Sequence, residues 1–145
     1  MMNDQNIRIE HYPAGVRDDR FWISMGPLFF DKNIKKQLPF LTEDLGKNWF
    51  IAFDGDVVIG FASVDVKKNG VAMIGSAWVS ESKRKRGTYR ALTDARLALA
   101  SEKGAKLVRA VCTTASSSAL MKRGFAEVNQ RGKYHTLEKK LEGGK

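Results

Sequence analysis

The stretch from Trp49 to Val66 limits the fold more than any other part of this chain. It reads WFIAF, then Asp54-Gly55-Asp56, then VVIGFASVDV, so two β-branched and aromatic runs are hinged on a single short turn. An Asp-Gly step between such runs favours a tight hairpin, because glycine takes the positive φ that the turn demands. A second turn at Lys67 to Gly70 leads into a third run, Val71 to Val79 (VAMIGSAWV). The centre of the chain is therefore predicted to be an antiparallel meander. Gly75 inside the third run marks a bulge or the close approach of another backbone. Asp54, Asp56 and Asp65 interrupt this most apolar segment, which excludes a membrane span.

Ile7 to Tyr12 alternates as a short half-buried strand ended by Pro13. Two short helices are expected between Val16 and Phe40, with Pro27 and Pro39 as breakers. After Glu81 the period changes. Ala91, Leu92, Ala95, Ala98 and Leu99 recur at three- and four-residue spacing, and Gly104 follows as a C-cap. Lys106 to Cys112 reads as a strand, Ser116 to Arg123 as a short helix closed by Gly124, and Phe125 to Val128 and Tyr134 to Leu141 as further strands. The fold class is α/β with a mixed sheet: an antiparallel meander, then a helix–strand–helix–strand half. With 145 residues, no internal repeat and no linker, residues 1–145 are expected to form one domain, its EGGK tail fraying.

A hydrophobic fraction of 43% suffices for one core and argues against global disorder. The opening MMNDQNIRIEHYP lacks the apolar run of a secretory signal, and the single cysteine, Cys112, excludes an internal disulfide. Both point to the cytoplasm. Twenty-five Lys and Arg against 16 Asp and Glu give a net charge of +9, which favours an anionic partner without naming one.

Between the third run and the long helix lies SESKRKRGTYRAL. A glycine-bearing turn at a helix N-terminus gathers unpaired backbone N–H groups, and the helix dipole adds partial positive charge. Lys83, Arg84, Lys85, Arg86 and Arg90 surround that point with full charges, and Gly87 lets the backbone come close to a phosphate. The pattern predicts a phosphate or pyrophosphate cradle. The bland alternative is a solvated basic turn.

VSESKRKRGTYRAL resembles the signature of the GNAT (general N-acetyltransferase) superfamily, in which a strand ending in Val is followed by Arg/Gln-x-x-Gly-x-Gly/Ala and a helix. Here the signature reads Arg84-Lys85-Arg86-Gly87-Thr88-Tyr89, with Tyr89 in place of the final small residue. LMKRGFAEV, Leu120 to Val128, is similar to the family's closing helix, its Gly-Phe and the strands that follow. A Rossmann or P-loop reading fails, since neither GxGxxG nor GxxxxGK[ST] follows a strand.

The resemblance implies an acetyl-CoA-dependent N-acetyltransferase. Backbone groups of Ala77, Trp78 and Val79 would pair with pantetheine, and the Val79 amide would polarise the thioester carbonyl. The pyrophosphate would sit on amides from Arg84 to Arg90, a span that includes Thr88 and Tyr89, and Ser117 and Leu120 would face the thiol. Family members often carry a tyrosine acid four residues before the closing glycine. Leu120 stands there instead, so no acid carries over, and Ser117 and Tyr134 are weak candidates. The front helices, with Trp22, Phe29, Phe30 and Phe40 expected to pack them, would line the acceptor pocket.

The acceptor is expected to be an amine of a protein or small molecule. A nucleic-acid-linked acceptor, or a non-catalytic phosphate- or nucleic-acid-binding domain, stays open as the alternative. It is not favoured, because the basic residues outside the loop are scattered along the chain. A homodimer is also left open. No metal site is expected: His11 and His135 lack ligand spacing and read as surface or satisfied histidines, and Cys112 reads as a small hydrophobe.

Overall fold

The computed structural model describes residues 7–15, 17–38, 46–83 and 87–141. The elements run β1 (Ile7–Tyr12), α1 (Asp19–Phe29), α2 (Lys32–Gln37), β2 (Asn48–Asp54), β3 (Val57–Val66), β4 (Val71–Val79), α3 (Thr88–Glu102), β5 (Leu107–Thr113), α4 (Thr114–Met121), β6 (Ala126–Arg131) and β7 (Tyr134–Lys140). The described strands form one sheet in the order β1-β2-β3-β4-β5-β7-β6. β1–β2, β5–β7 and β6–β7 pair antiparallel, whereas β4–β5 is parallel, so the sheet is mixed as expected. A parallel neighbour requires a crossover, and α3 supplies it. No described helix is long and apolar enough to cross a membrane.

Backbone contacts gather the chain into two compact units, one within residues 1–63 and 76–93, the other within 64–75 and 94–145. The first unit is built on aromatics. Asp18 caps α1 by accepting from the Phe21 N–H, and Asp31 caps α2 by accepting from the Asn33 and Ile34 N–H groups. Phe21 and Met25, one helical turn apart, carry the buried stripe of α1. The Trp49 ring packs near Phe21, edge-on to Phe29 at 5.6 Å and to Phe61 at 5.9 Å, and Phe61 in turn lies 5.5 Å from Trp78. Fully burying a side chain such as Phe21 or Phe61 contributes about 1.5–3 kcal/mol.

Two expectations for this region need correction. Pro27 does not break α1, which runs on to Phe29. It forfeits only the bond to the carbonyl of the exposed Ile23, and the chain then leaves the helix by Phe30 N–H to Pro27 O and Asp31 N–H to Leu28 O. Nor do all the named front aromatics pack. Phe30 is 82% exposed and Trp22 is exposed as well, because the inward stripe of α1 belongs to Phe21, Met25, Leu28 and Phe29. Pro39 and Phe40 lie outside the described residues.

The turns behave as read. Gly55, at φ 62°, turns β2 into β3. In the second unit, the Gly104 N–H donates to Ser101 O and the Ala105 N–H to Ala100 O, a Schellman cap with Gly104 at φ 83°. The same pattern closes α4, with Gly124 N–H to Met121 O and Phe125 N–H to Leu120 O. β6 is the outermost described strand on its side. It is exposed at every residue and carries an irregularity between Glu127 and Asn129.

The close approach expected at Gly75 occurs at Gly60 instead. A β-carbon at Gly75 would meet nothing within 4 Å, but one at Gly60 would stand 2.9 Å from Trp78 O and 3.4 Å from both Leu92 and Val79 side-chain atoms.

Candidate functional site

β4 and the start of α3 hold the expected cofactor residues of the first unit. The β4–β5 register runs from Val71↔Leu107 to Ile74↔Ala110, and β4 continues past it through Ala77, Trp78 and Val79. Trp78 sends its ring into the core against Phe61, and its carbonyl faces Gly60 on β3. The Ser80 N–H donates to Ile59 O at 2.7 Å, towards the same neighbour. Backbone groups alternate sides along a strand, so those of Ala77 and Val79 turn to the opposite edge of β4.

A 3-10 turn at Glu81–Lys83 follows the strand. Arg84, Lys85 and Arg86 lie outside the described residues. Gly87, at φ 86°, accepts the first helical bond from the Ala91 N–H at 2.9 Å. Among the described residues, a β-carbon at Gly87 would meet the tip of Arg90, at 3.6 Å. Thr88 opens α3 and is only 2% exposed, yet its buried Oγ1 has no hydrogen-bond partner. Buried hydroxyls are nearly always bonded, so an orphan at a helix start is an unfilled acceptor or donor position. The first turn of α3 carries no acidic residue, and Tyr89 and the exposed Arg90 complete it. A phosphate-bearing group fits this arrangement: a helix start with glycine at positive φ, a buried hydroxyl in want of a partner, and a basic side chain.

The other expected residues belong to the second unit. Ser117 is buried, and its hydroxyl donates to Thr114 O at 2.8 Å. That bond occupies the hydroxyl proton within the serine's own helix. Leu120, 2% exposed, closes α4 with its carbonyl accepting from Arg123 and Phe125. Tyr134 is half-buried at the start of β7, opposite Thr113, with Lys133 Nζ 5.5 Å from its ring.

Sequence reasoning missed the best-organised polar group of this unit. His135 is satisfied, but in the interior: it is 8% exposed, with Nδ1 2.6 Å from Glu127 Oε1 and Nε2 2.8 Å from Thr114 Oγ1. Its three members come from β6, β7 and the first residue of α4, so no linear spacing announces them. The β6–β7 hairpin, turning at Gly132 with φ 62°, brings Glu127 and His135 together. Cys112 lies directly opposite His135 in the β5–β7 ladder. Burial, and then the Glu127 charge, push its thiol above the ordinary range. Arg96 was missed too: it is buried on α3, and its Nη1 donates to Gly75 O at 3.4 Å. His11 is satisfied by Asn48 at 3.0 Å and stacks on Phe50.

Comparison with known proteins agrees with this architecture. Residues 11–125 match the model of the acetyltransferase (GNAT) family. The chain belongs to that family. Among solved structures it is similar to Escherichia coli ElaA, at 15% identity and a TM-score of 0.73, covering 92% of this chain and 99% of that one. An acyl-CoA N-acyltransferase from Pseudomonas aeruginosa gives 13% identity and a TM-score of 0.75, with coverage of 92% and 99%. The PaiA N-acetyltransferase from Thermoplasma acidophilum, solved in complex with coenzyme A, gives 16% and 0.67, with coverage of 93% and 99%. A search of the curated proteins finds no match.

Proposed function

We propose that this member of the family transfers an acetyl group from acetyl-CoA to an amine of a protein or small molecule in the cytoplasm. The observation that carries the reading is the start of α3, where Gly87 at φ 86° stands beside the buried, unbonded Thr88 hydroxyl. Coenzyme A, found in the Thermoplasma relative, bears the pyrophosphate that such a helix start suits.

Acetyl-CoA would supply the activated thioester. This chain's own groups would then bind and orient. The amides of Gly87 to Arg90 would hold the pyrophosphate, and Thr88 Oγ1 would gain a partner. Ala77 and Val79 would line the pantetheine arm. With Leu120 where relatives often have tyrosine, no side-chain acid is assigned. A thiol of pKa about 8.5 departs as thiolate without strong assistance.

Thermal-shift and calorimetric titrations with acetyl-CoA, coenzyme A, ATP and duplex DNA test the reading. Both CoA forms should raise the apparent stability saturably, as a ligand specific for the folded state does. DNA binding should be weak and should fade steeply with salt. Absence of any shift with either CoA form in a folded sample would overturn the proposal.

A further inference from the structure

The Glu127–His135–Thr114 arrangement does more than satisfy a buried ring. Thr114 is exposed, so water could serve its hydroxyl, yet the hydroxyl is held 2.8 Å from His135 Nε2. Glu127 Oε1, 2.6 Å from Nδ1, accepts the proton there and leaves Nε2 as the acceptor of the threonine proton. The order is carboxylate, imidazole, hydroxyl, which is the arrangement that activates an alcohol as a nucleophile. Thr114 also stands where β5 passes into α4. The capping residue Thr113 makes no side-chain bond to the first turn of α4, so the amides after Thr114 are left uncapped by it, and helix-start amides suit a developing oxyanion. Cys112 is the competing nucleophile in reach of His135, but its raised pKa and the pairing of Nε2 with Thr114 leave it a neutral thiol.

We propose that Thr114 is an acyl-accepting nucleophile, with His135 as its general base and Glu127 as the residue that positions His135, acting on an activated ester or thioester of a short carboxylic acid. Thr114 Oγ1 attacks the acyl carbon and its proton passes to His135 Nε2. The tetrahedral adduct collapses by breaking the bond to the leaving oxygen or sulfur, which takes the proton back from Nε2. Glu127 keeps its hydrogen bond to Nδ1 throughout. Water, deprotonated by the same nitrogen, then adds to the acyl carbon; the bond from that carbon to Thr114 Oγ1 breaks, Oγ1 takes the proton back from Nε2, and the carboxylic acid is released. The assembly lies within one compact unit, so the proposal stands or falls independently of the coenzyme A reading.

The full-length protein is treated with p-nitrophenyl acetate, which contains no coenzyme A. Nitrophenol release is followed, and the acetylated site is mapped by peptide mass spectrometry. A hydroxylamine-labile acetyl ester at Thr114 is expected. Thr114→Ser should keep the ester, and Thr114→Val should lose it while remaining folded, with a melting temperature lowered modestly by the bond it takes from His135. His135→Ala should slow acylation of Thr114 by about a hundredfold or more, the range of general-base catalysis, and added imidazole should restore part of the rate. Glu127→Gln should slow it and Glu127→Asp should retain more of it than Gln. No ester at Thr114 in the folded wild-type protein, or undiminished Thr114 acylation in a folded His135→Ala protein, would overturn the proposal. Because Thr114→Val changes an exposed residue, the test holds even where the His135 variant fails to fold.

Discussion

Gly60 and Trp78 are set so close that a β-carbon on the first would stand 2.9 Å from the carbonyl oxygen of the second. The obstacle is backbone rather than the free end of a side chain, so it cannot swing away. Gly60→Ala must therefore push β4 away from β3 at Trp78. Overpacking of this kind costs about 1–3 kcal/mol, which urea denaturation would read as a lower midpoint at unchanged slope. Affinity for coenzyme A should fall as well, since the displaced residues are those proposed to carry pantetheine. A wild-type midpoint would show that the two strands have slack.

Gly87 supports a prediction that separates strain from ligand binding. Valine at φ 86° is strained, by about 1–3 kcal/mol, and its side chain would stand where the pyrophosphate is proposed to bind. Gly55→Val, at φ 62° in the β2–β3 turn, supplies the control. Both variants should lose comparable stability, but only Gly87→Val should lose coenzyme A affinity, by about tenfold or more. Calorimetry on the two folded variants decides it, and equal affinities would remove the cofactor from this loop.

Leu120→Tyr probes the closing helix. The family's frequent tyrosine would here replace a leucine that is 2% exposed. Adding a ring and a hydroxyl to so closed a position should destabilise the protein by about 1–3 kcal/mol. A melting temperature at or above wild type would mean that the position opens onto a channel able to take the phenol.

Cys112 gives the pH-dependent case. Burial and the Glu127 charge raise its folded pKa above the unfolded value of about 8.5. A group raised in this way adds stability that is fully present below the unfolded pKa and is lost as pH rises through the folded one. Stability should therefore decline on the alkaline side, and Cys112→Ser should show less of that decline. Iodoacetamide should modify the native thiol more slowly than the urea-unfolded one near pH 8, as mass spectrometry would show. A native rate equal to the unfolded rate would contradict the assignment.

The parts legible in the sequence are those written in local chemistry. The Asp-Gly hairpin, the strand Val71–Val79 and the glycine that ends α3 each depend on a few adjacent residues, and each lies where the pattern put it. Pro27 misled because a proline near the end of a helix costs a single bond, and sequence alone does not place that end. Gly60 was invisible because its neighbour Trp78 is eighteen residues away on another strand. The same holds for His135, whose partners sit eight and 21 residues off and meet it only once β6 and α4 are folded against β7. Solitary histidines read as inert until the register brings their partners in.

The irregularity between Glu127 and Asn129 sits on β6, a strand at the edge of the sheet that is exposed at every residue. A straight strand from a neighbouring copy could follow that edge for only a few rungs before its donors and acceptors fell out of step. The exposed Val128 at the kink would otherwise be an adhesive point. A single extra residue thus interrupts the regular edge, and it does so at the same place where Glu127 is turned towards its histidine.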